Sequence, residues 1–228
     1  MEKNPIFDEF AETYDSWFLN PVGGKVFELE LNLLLKAVEP EMDKTLLDVG
    51  IGTGFFATHL RSYGLVVKGI DPSEKMLEVA KKRGFEVKIG SGENIPFENE
   101  SFDIVLAMTS MEFSKDPKKF LSEMVRVAKI EGKIVIAVLN ILSLYGLSRR
   151  LRGLYEKSVF SEAHFYNYWE LKSLLRNHLK NFKVSSSVFF NPSPPNWVIE
   201  RADSIESFGQ KYLKPFGALL VAWGIKES

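Results

Sequence analysis

The stretch LLDVGIGTGFF, residues 46–56, constrains this chain more than any other part of it. An apolar run ends in an acid, Asp48, and then in three glycines at alternate positions, Gly50, Gly52 and Gly54. The pattern reads as a strand turning sharply into a helix. Glycines let such a turn take backbone angles closed to other residues and let a ligand approach where a Cβ would stand. A turn of this kind usually holds a nucleotide-like cofactor.

The sequence around the turn sets the fold class. From Thr45 onward, TLLDVG, LVVKGID, FEVKIG, FDIVLAM and KIVIAVL form short β-rich runs beginning at 45, 65, 85, 102 and 133. Between them lie stretches of helical period, including PSEKMLEVAKKRG (72–84) and PKKFLSEMVRVAKIEG (117–132). Near-continuous apolar strands alternating with helices predict an α/β protein whose mostly parallel sheet is covered on both faces. The first 40 residues read as helix. FDEFAETYDSWF (7–18) makes an aromatic face, and GKVFELELNLLLKAV (24–38) repeats it through Phe27, Leu31, Leu34 and Leu35 until Pro40. After Leu139 the alternation breaks into an insertion over 141–165. A helix near 168–179 follows, opened by the capping pair Asn167 and Glu170, and then two final strands, FKVSSSVFF (182–190) and ALLVAWGI (218–225). With no repeat and no linker, the economical expectation is one domain over 1–228, with an N-terminal helical cap (1–40) and a lid-like insertion (141–165).

Composition narrows the function classes. A formal net charge of −1 disfavours nucleic acid as a constitutive partner. The absence of cysteine removes disulfides, zinc–thiolate sites and thiol nucleophiles together. The charged start, MEKNPIFDEF, carries no apolar signal region, and no apolar run approaches the length that spans a bilayer, so a cytoplasmic protein with no membrane partner is expected. Twenty-two glutamates and 21 lysines against a single glutamine, Gln210, lean toward a heat-adapted source.

The spacing of the glycines discriminates between cofactors. A dinucleotide fingerprint, G-x-G-x-x-G counted from Gly50, needs glycine at 55, where Phe55 stands; no phosphate loop ending in G-K-[ST] is present. The second strand ends in GIDPSEKML (69–77), which puts Asp71 at its carboxyl end, 21 residues past Gly50. A carboxylate there accepts both hydrogen bonds of a ribose diol, which serves NAD and S-adenosylmethionine equally; its bland alternative is a cap for the helix opening at Ser73.

YDSWF, LLDVGIGTG, GIDPSEKML, GSGENIPFENESFDIVLAM and KKFLSEMVRVAKIEGKIVI occur in that order between about Phe7 and Leu139. Together they resemble the class I S-adenosylmethionine-dependent methyltransferases, in particular the small-molecule group that includes the ubiquinone and menaquinone biosynthesis enzymes. One departure is Glu131, which stands where the family's R-V-x-K-x-G-G has its first glycine. The resemblance implies a Rossmann-like three-layer sandwich on a seven-stranded sheet with an antiparallel last strand. It implies that Asp48 and the backbone of Gly50, Gly52 and Gly54 line the methionine moiety and that Asp71 holds the ribose. Pro72 and Met76 would lie by the adenine, Gly92 and Glu93 would offer it backbone donors, and Met108 would sit under the sulfonium. Tyr14 would close over the amino-acid end. Many relatives carry an acid at Ser91, and a serine there makes adenine recognition looser or brings in Glu93.

Methyl transfer from a sulfonium is an in-line displacement whose leaving group departs neutral, so positioning dominates and a base matters only for an acceptor that arrives protonated. The three histidines are too scattered for a metal motif, and no metal site is expected. His59 reads as structural and His178 as solvated. The candidates for contact with an acceptor are His164, Glu112 and Tyr166, with Tyr168 beside them; each has an ordinary alternative as a docking, loop or packing residue. Arg149, Arg150 and Arg152 suit an acceptor carboxylate or phosphate, against a solvated helix face. The expected function is methyl transfer from S-adenosylmethionine to an oxygen, nitrogen or carbon of a small-molecule acceptor. The alternatives are an RNA or protein methyltransferase and a non-catalytic S-adenosylmethionine-binding regulatory protein, with an NAD-dependent oxidoreductase third. The sequence carries no sign of oligomeric state.

Overall fold

A computed structural model describes residues 5–152 and 163–226 of the chain, with side chains of 5, 6 and 150–152 outside that description. Residues 153–162 of the expected insertion, and the side chains of Arg150 and Arg152, therefore lie outside the described residues. Seven strands form one sheet: β1 (Thr45–Val49), β2 (Val66–Asp71), β3 (Glu86–Ile89), β4 (Phe102–Met108), β5 (Ala128–Leu139), β6 (Leu179–Ser187) and β7 (Leu219–Lys226). Their spatial order is β3-β2-β1-β4-β5-β7-β6. The pairings from β3 across to β5 are all parallel, while β7 runs antiparallel to both β5 and β6. Strand order reverses between β1 and β4, so a crevice opens at their carboxyl ends, where open α/β sheets bind ligands.

Alternation along the buried strands sorts side chains onto two faces. Leu47 and Val49 of β1, with Ile134, Ile136 and Val138 of β5, pack against α5 (Pro117–Val127) and α7 (Tyr168–Leu175) through Leu121, Met124, Leu171 and Leu175. Leu46, Val135 and Ala137 face the opposite layer: Leu33 and Leu34 of α2 (Pro21–Val38), Leu60 of α3 (Phe55–Arg61) and Leu77 of α4 (Glu74–Lys82). Full burial of each such side chain contributes about 1.5–3 kcal/mol. The capping box at Asn167 and Glu170 opens α7, and Ser73 caps α4 by accepting from Met76 N. No helix among the described residues is long and apolar enough to cross a membrane.

Three expectations change. The aromatic segment 7–18 is no continuous helix: a single turn, α1 (Pro5–Asp8), is followed by turns and a 3-10 helix over Tyr14–Leu19. A short helix is costly to nucleate. Here the segment follows tertiary contacts instead, with Phe18 stacked on Phe55 and Asp8 and Asp15 bonded to Ser73 and Thr53. In α2 the fully buried face runs through Val26, Leu29, Leu33, Leu34 and Ala37, while Phe27, Leu31 and Leu35 are half-buried beside it, Leu35 against the core and Phe27 against Phe18, Phe55 and Phe56. Residues 128–132 belong to β5 and not to the end of a helix: Ala128 pairs with Phe102, Lys133 with Ile104, and the residues between bulge out.

That bulge places Glu131 at φ +58°, in the left-handed region where a Cβ is strained. Glu131→Gly is therefore expected to stabilise the protein by about 0.5–1 kcal/mol after the added freedom of the unfolded chain is counted. Thermal melting should read a rise of about 1–3 °C.

At the amino ends of β1 and β4, Asp103 accepts from Thr45 N at 2.9 Å, Thr45 Oγ1 at 2.6 Å and Lys129 Nζ at 2.9 Å. Partial burial opposes its charge, but these donors outweigh that and hold its carboxyl well below the usual carboxylate range. A depressed folded pKa stabilises above the unfolded pKa of about 4 and is lost as pH falls through the folded value. Asp103→Asn should cost about 1–2 kcal/mol at neutral pH. The difference from wild type should shrink in denaturant melts carried into strong acid.

Candidate active site

The glycine turn is pinned to the end of β2 from three sides. Gly50 N and Ile51 N both donate to Ile70 O, at 2.8 and 2.9 Å, and Gly52 N donates to Asp71 Oδ2 at 2.9 Å. The other Asp71 oxygen accepts from Ser73 N at 2.8 Å, so the acid ties the turn after β1 to the helix after β2. The two expected roles of Asp71 are thus compatible: each oxygen spends one lone pair on the backbone and keeps another for a ligand. Gly50 has φ +86°, and a Cβ on it would stand 2.3 Å from Ser110 Cβ; Gly52 has φ +56° with nothing within 4 Å of such a Cβ. Gly50 thus allows β1 and the loop after β4 to meet, while Gly52 faces open space. Ser110 completes the junction by donating to Val49 O at 2.5 Å.

That space is a cavity of about 460 Å³ at the carboxyl ends of β1 and β4. A third of its lining residues are aromatic, among them Phe10, Tyr14, Trp17 and Phe18 from the N-terminal segment. This segment lies over the turn through Asp15, which accepts from Thr53 Oγ1 at 2.8 Å and pairs with Arg83; Arg83 in turn donates to Thr53 O at 2.8 Å. The far end of the cavity is walled by Val26, Val188, Ala218 and Tyr145, with Glu30 from α2 and Arg149 from α6 (Leu144–Arg152).

Charge in the cavity wall is unbalanced among the described residues: Glu30, Asp48 and Asp71 face one guanidinium, Arg149. Burial, with Asp71 nearby, pushes the pKa of Asp48 up to about 7, and its Oδ1 has no hydrogen-bond partner. Burial raises Asp71 to about 6 against the bonds from Ser73 and Gly52. Glu30 is pushed up to about 8 by burial, which Arg149 opposes and Glu206 assists. The Tyr14 hydroxyl rises to about 12 through burial and the surrounding acids.

Of the residues predicted from sequence, Tyr14, Asp48, Gly50, Gly52, Asp71, Pro72, Met76 and Met108 line this one cavity. Gly54, Ser91, Gly92 and Glu93 do not. A Cβ on Gly54 would strike Phe85, and one on Gly92 would enter the ring of Phe120, so both glycines serve close packing. Glu93 accepts from Ser114 Oγ and Lys115 N and thereby holds the loop after β4. The three acceptor candidates also stand outside the cavity wall. His164 and Tyr166 border a separate depression, where His164 Nε2 lies 2.6 Å from Glu170 Oε1 and the Tyr166 hydroxyl donates to Met111 O. Glu112 is buried behind the wall, accepting from Leu139 N at 2.7 Å, and burial pushes its pKa up to about 8. Sequence reasoning missed Glu30, Ser110, Asn140 and Tyr145. The one available signal was an acid, Glu30, standing among the apolar positions of α2, and the neighbouring Glu28 blunted it.

A methyltransferase-domain profile matches residues 47–136. An uncharacterised protein of Methanocaldococcus jannaschii is 32% identical over 204 residues, covering 88% of this chain and 90% of that one. The Thermotoga maritima demethylmenaquinone methyltransferase is 33% identical over 138 residues, and the match spans 58% of each chain. Among solved structures, a Thermotoga maritima S-adenosylmethionine-dependent methyltransferase, described as a possible histamine N-methyltransferase, superposes with a TM-score of 0.77 at 30% identity. That match covers 97% of this chain and 99% of the other.

The two glycines should separate folding from ligand binding. Gly50→Ala forces β1 against Ser110 and should cost about 3 kcal/mol from overpacking and backbone strain. Gly52→Ala should cost about 1 kcal/mol from strain alone, yet its methyl stands in the cavity. Thermal melts should show a large loss for the first variant and a small one for the second. Added S-adenosylhomocysteine should raise the melting temperature of wild type and fail to do so for Gly52→Ala.

Proposed function

The chain belongs to the S-adenosylmethionine-dependent methyltransferases, and we propose that it methylates an oxygen, nitrogen or carbon of a small-molecule acceptor held in the aromatic cavity. The residues at the glycine turn fit the cofactor. Gly52 leaves room where any Cβ would intrude, Asp48 presents a buried oxygen lacking a partner, and Asp71 is held rigidly with acceptor capacity to spare. Bound there, S-adenosylmethionine supplies an electrophilic methyl group on a sulfonium that leaves as a neutral thioether.

The chain's own residues bind, orient and exclude water. Asp71 would take the ribose hydroxyls, Asp48 and the backbone at Gly50 and Gly52 would take the amino-acid end, Pro72 and Met76 would serve the adenine, and Met108 the sulfonium; all of them line the cavity. Tyr14 and its aromatic neighbours close the cavity from the N-terminal side, held by the Asp15–Arg83–Thr53 contacts. Two acids at the turn suit a ligand bearing two positive groups, and that ligand lowers their raised pKa values by favouring the ionised forms. A largely apolar cleft of this size accommodates a small acceptor better than a polymer. The observation that carries the reading is the rigid Asp71 carboxylate at the mouth of the glycine turn.

Calorimetric titration with S-adenosylmethionine, S-adenosylhomocysteine and NADH tests it. The two sulfur compounds should bind and NADH should not. Asp71→Ala should weaken both about 10–100-fold, the loss of hydrogen bonds to a charged group. Binding of NADH alone would overturn the assignment.

A further inference from the structure

The cavity has a second polar pole that the cofactor residues leave unused. Glu30 projects from α2 one turn beyond Val26, which also lines the wall, and it makes no hydrogen bond or ion pair among the described residues. Its neighbours are Tyr145 and Arg149 of α6, Tyr14 of the N-terminal segment and Glu206 of α9 (Ala202–Tyr212). Arg149 has contacts of its own, with the Phe165 ring 6.0 Å away, and Glu30 and Glu112 draw it when they ionise. Acids outnumber the one guanidinium in the described lining, so a bound cation finds ionisable partners there, and the aromatic wall favours cations over anions.

Resting on the methyltransferase reading, we propose that Glu30 anchors the amino group of the methyl acceptor, a small amine on an aromatic or otherwise apolar body, and takes the proton its nitrogen must lose. The ammonium gives that proton to Glu30, which frees the nitrogen lone pair. The lone pair then forms the new N–C bond as the C–S bond breaks with its electron pair left on sulfur. Glu30 keeps that proton as the methylated ammonium departs, which restores its free state; the one proton lost overall passes to water when the ammonium binds.

The electrostatics suit this role. With its pKa raised to about 8, Glu30 holds a proton at neutral pH in the free protein, since burial and Glu206 outweigh Arg149. An ammonium favours the carboxylate, so its binding at neutral pH expels one proton, and affinity for it climbs as pH rises toward that pKa. The tyrosines 14 and 145, both raised to about 12, stay neutral across this range.

The test uses protein saturated with S-adenosylhomocysteine, titrated with phenethylamine, phenethyl alcohol and hydrocinnamate in neutral buffers of differing ionisation enthalpy. Phenethylamine should bind at least about tenfold more tightly than the other two and release about one proton. Glu30→Gln should erase that preference and the proton release while binding S-adenosylhomocysteine within about threefold of wild type. Glu30→Asp should keep the proton release with weaker binding. Because Glu30→Gln replaces a carboxyl that already prefers its neutral form, its melting temperature should not fall, which guards against misfolding. Tightest binding of hydrocinnamate, an amine preference that survives in Glu30→Gln, or no binding of any probe would overturn the proposal. Failure of wild type to bind S-adenosylhomocysteine would sink the underlying reading instead.

Discussion

The carboxylate of Asp71 is the contact on which the site depends. It accepts from Gly52 on one side and Ser73 on the other, joining two βα units at the point where strand order reverses. Without that clamp the first half of the glycine turn would still be held by Gly50 N and Ile51 N on Ile70 O, but Gly52 would lose its tie to β2. With it, three loops converge: the turn after β1, the start of α4, and the segment after β4 that Ser110 ties to Val49 O. Hydrogen bonds to a charged acceptor are roughly twice as strong as neutral ones, so the same group that fixes the backbone remains a strong acceptor for a ligand.

The cavity also stores an electrostatic imbalance. Asp48, Asp71 and Glu30 all have raised pKa values, with burial the largest cause in each. A buried acid that prefers its proton destabilises the folded chain as pH rises through the interval between unfolded and folded pKa values. Cationic groups bound in the cavity reverse this cost. The N-terminal segment is fastened to the same region by polar contacts, Asp15 to Thr53 and Arg83, so the wall that closes the cavity is anchored at the turn that binds.

Much of the architecture was readable because strands buried on both faces leave an apolar signature that nothing else in the chain imitates. β1, β2 and β4 stand within a few residues of the predicted runs, and the Asn167–Glu170 capping box lies where the pair was expected. The misreadings share one cause, namely that local periodicity was overruled from a distance. The aromatic spacing of 7–18 looks helical, but Phe18 is placed by Phe55 and Phe56 of α3 and Phe7 by Phe113. Residues 128–132 continue the helical pattern of α5, yet the edge of β4 captures Ala128. The site was partly legible for the same reasons. Glycines and acids at strand ends are local signals, and eight of the expected cofactor residues line one cavity; Gly54, Ser91, Gly92 and Glu93 are not in its lining.

By itself, then, the sequence determined a parallel α/β sheet, the glycine turn, the acid at the end of β2 and the cofactor class, because each is written in a short segment whose conformation is set by its own residues. Only the tertiary structure decided which side chains share the cavity. Glu30, Tyr145 and Arg149 come from two helices more than a hundred residues apart in the chain, and His164 and Tyr166, close to Arg149 in sequence, open onto a different depression. Helical phase and long-range packing choose the direction a side chain points, and neither is encoded in the residue's immediate neighbours.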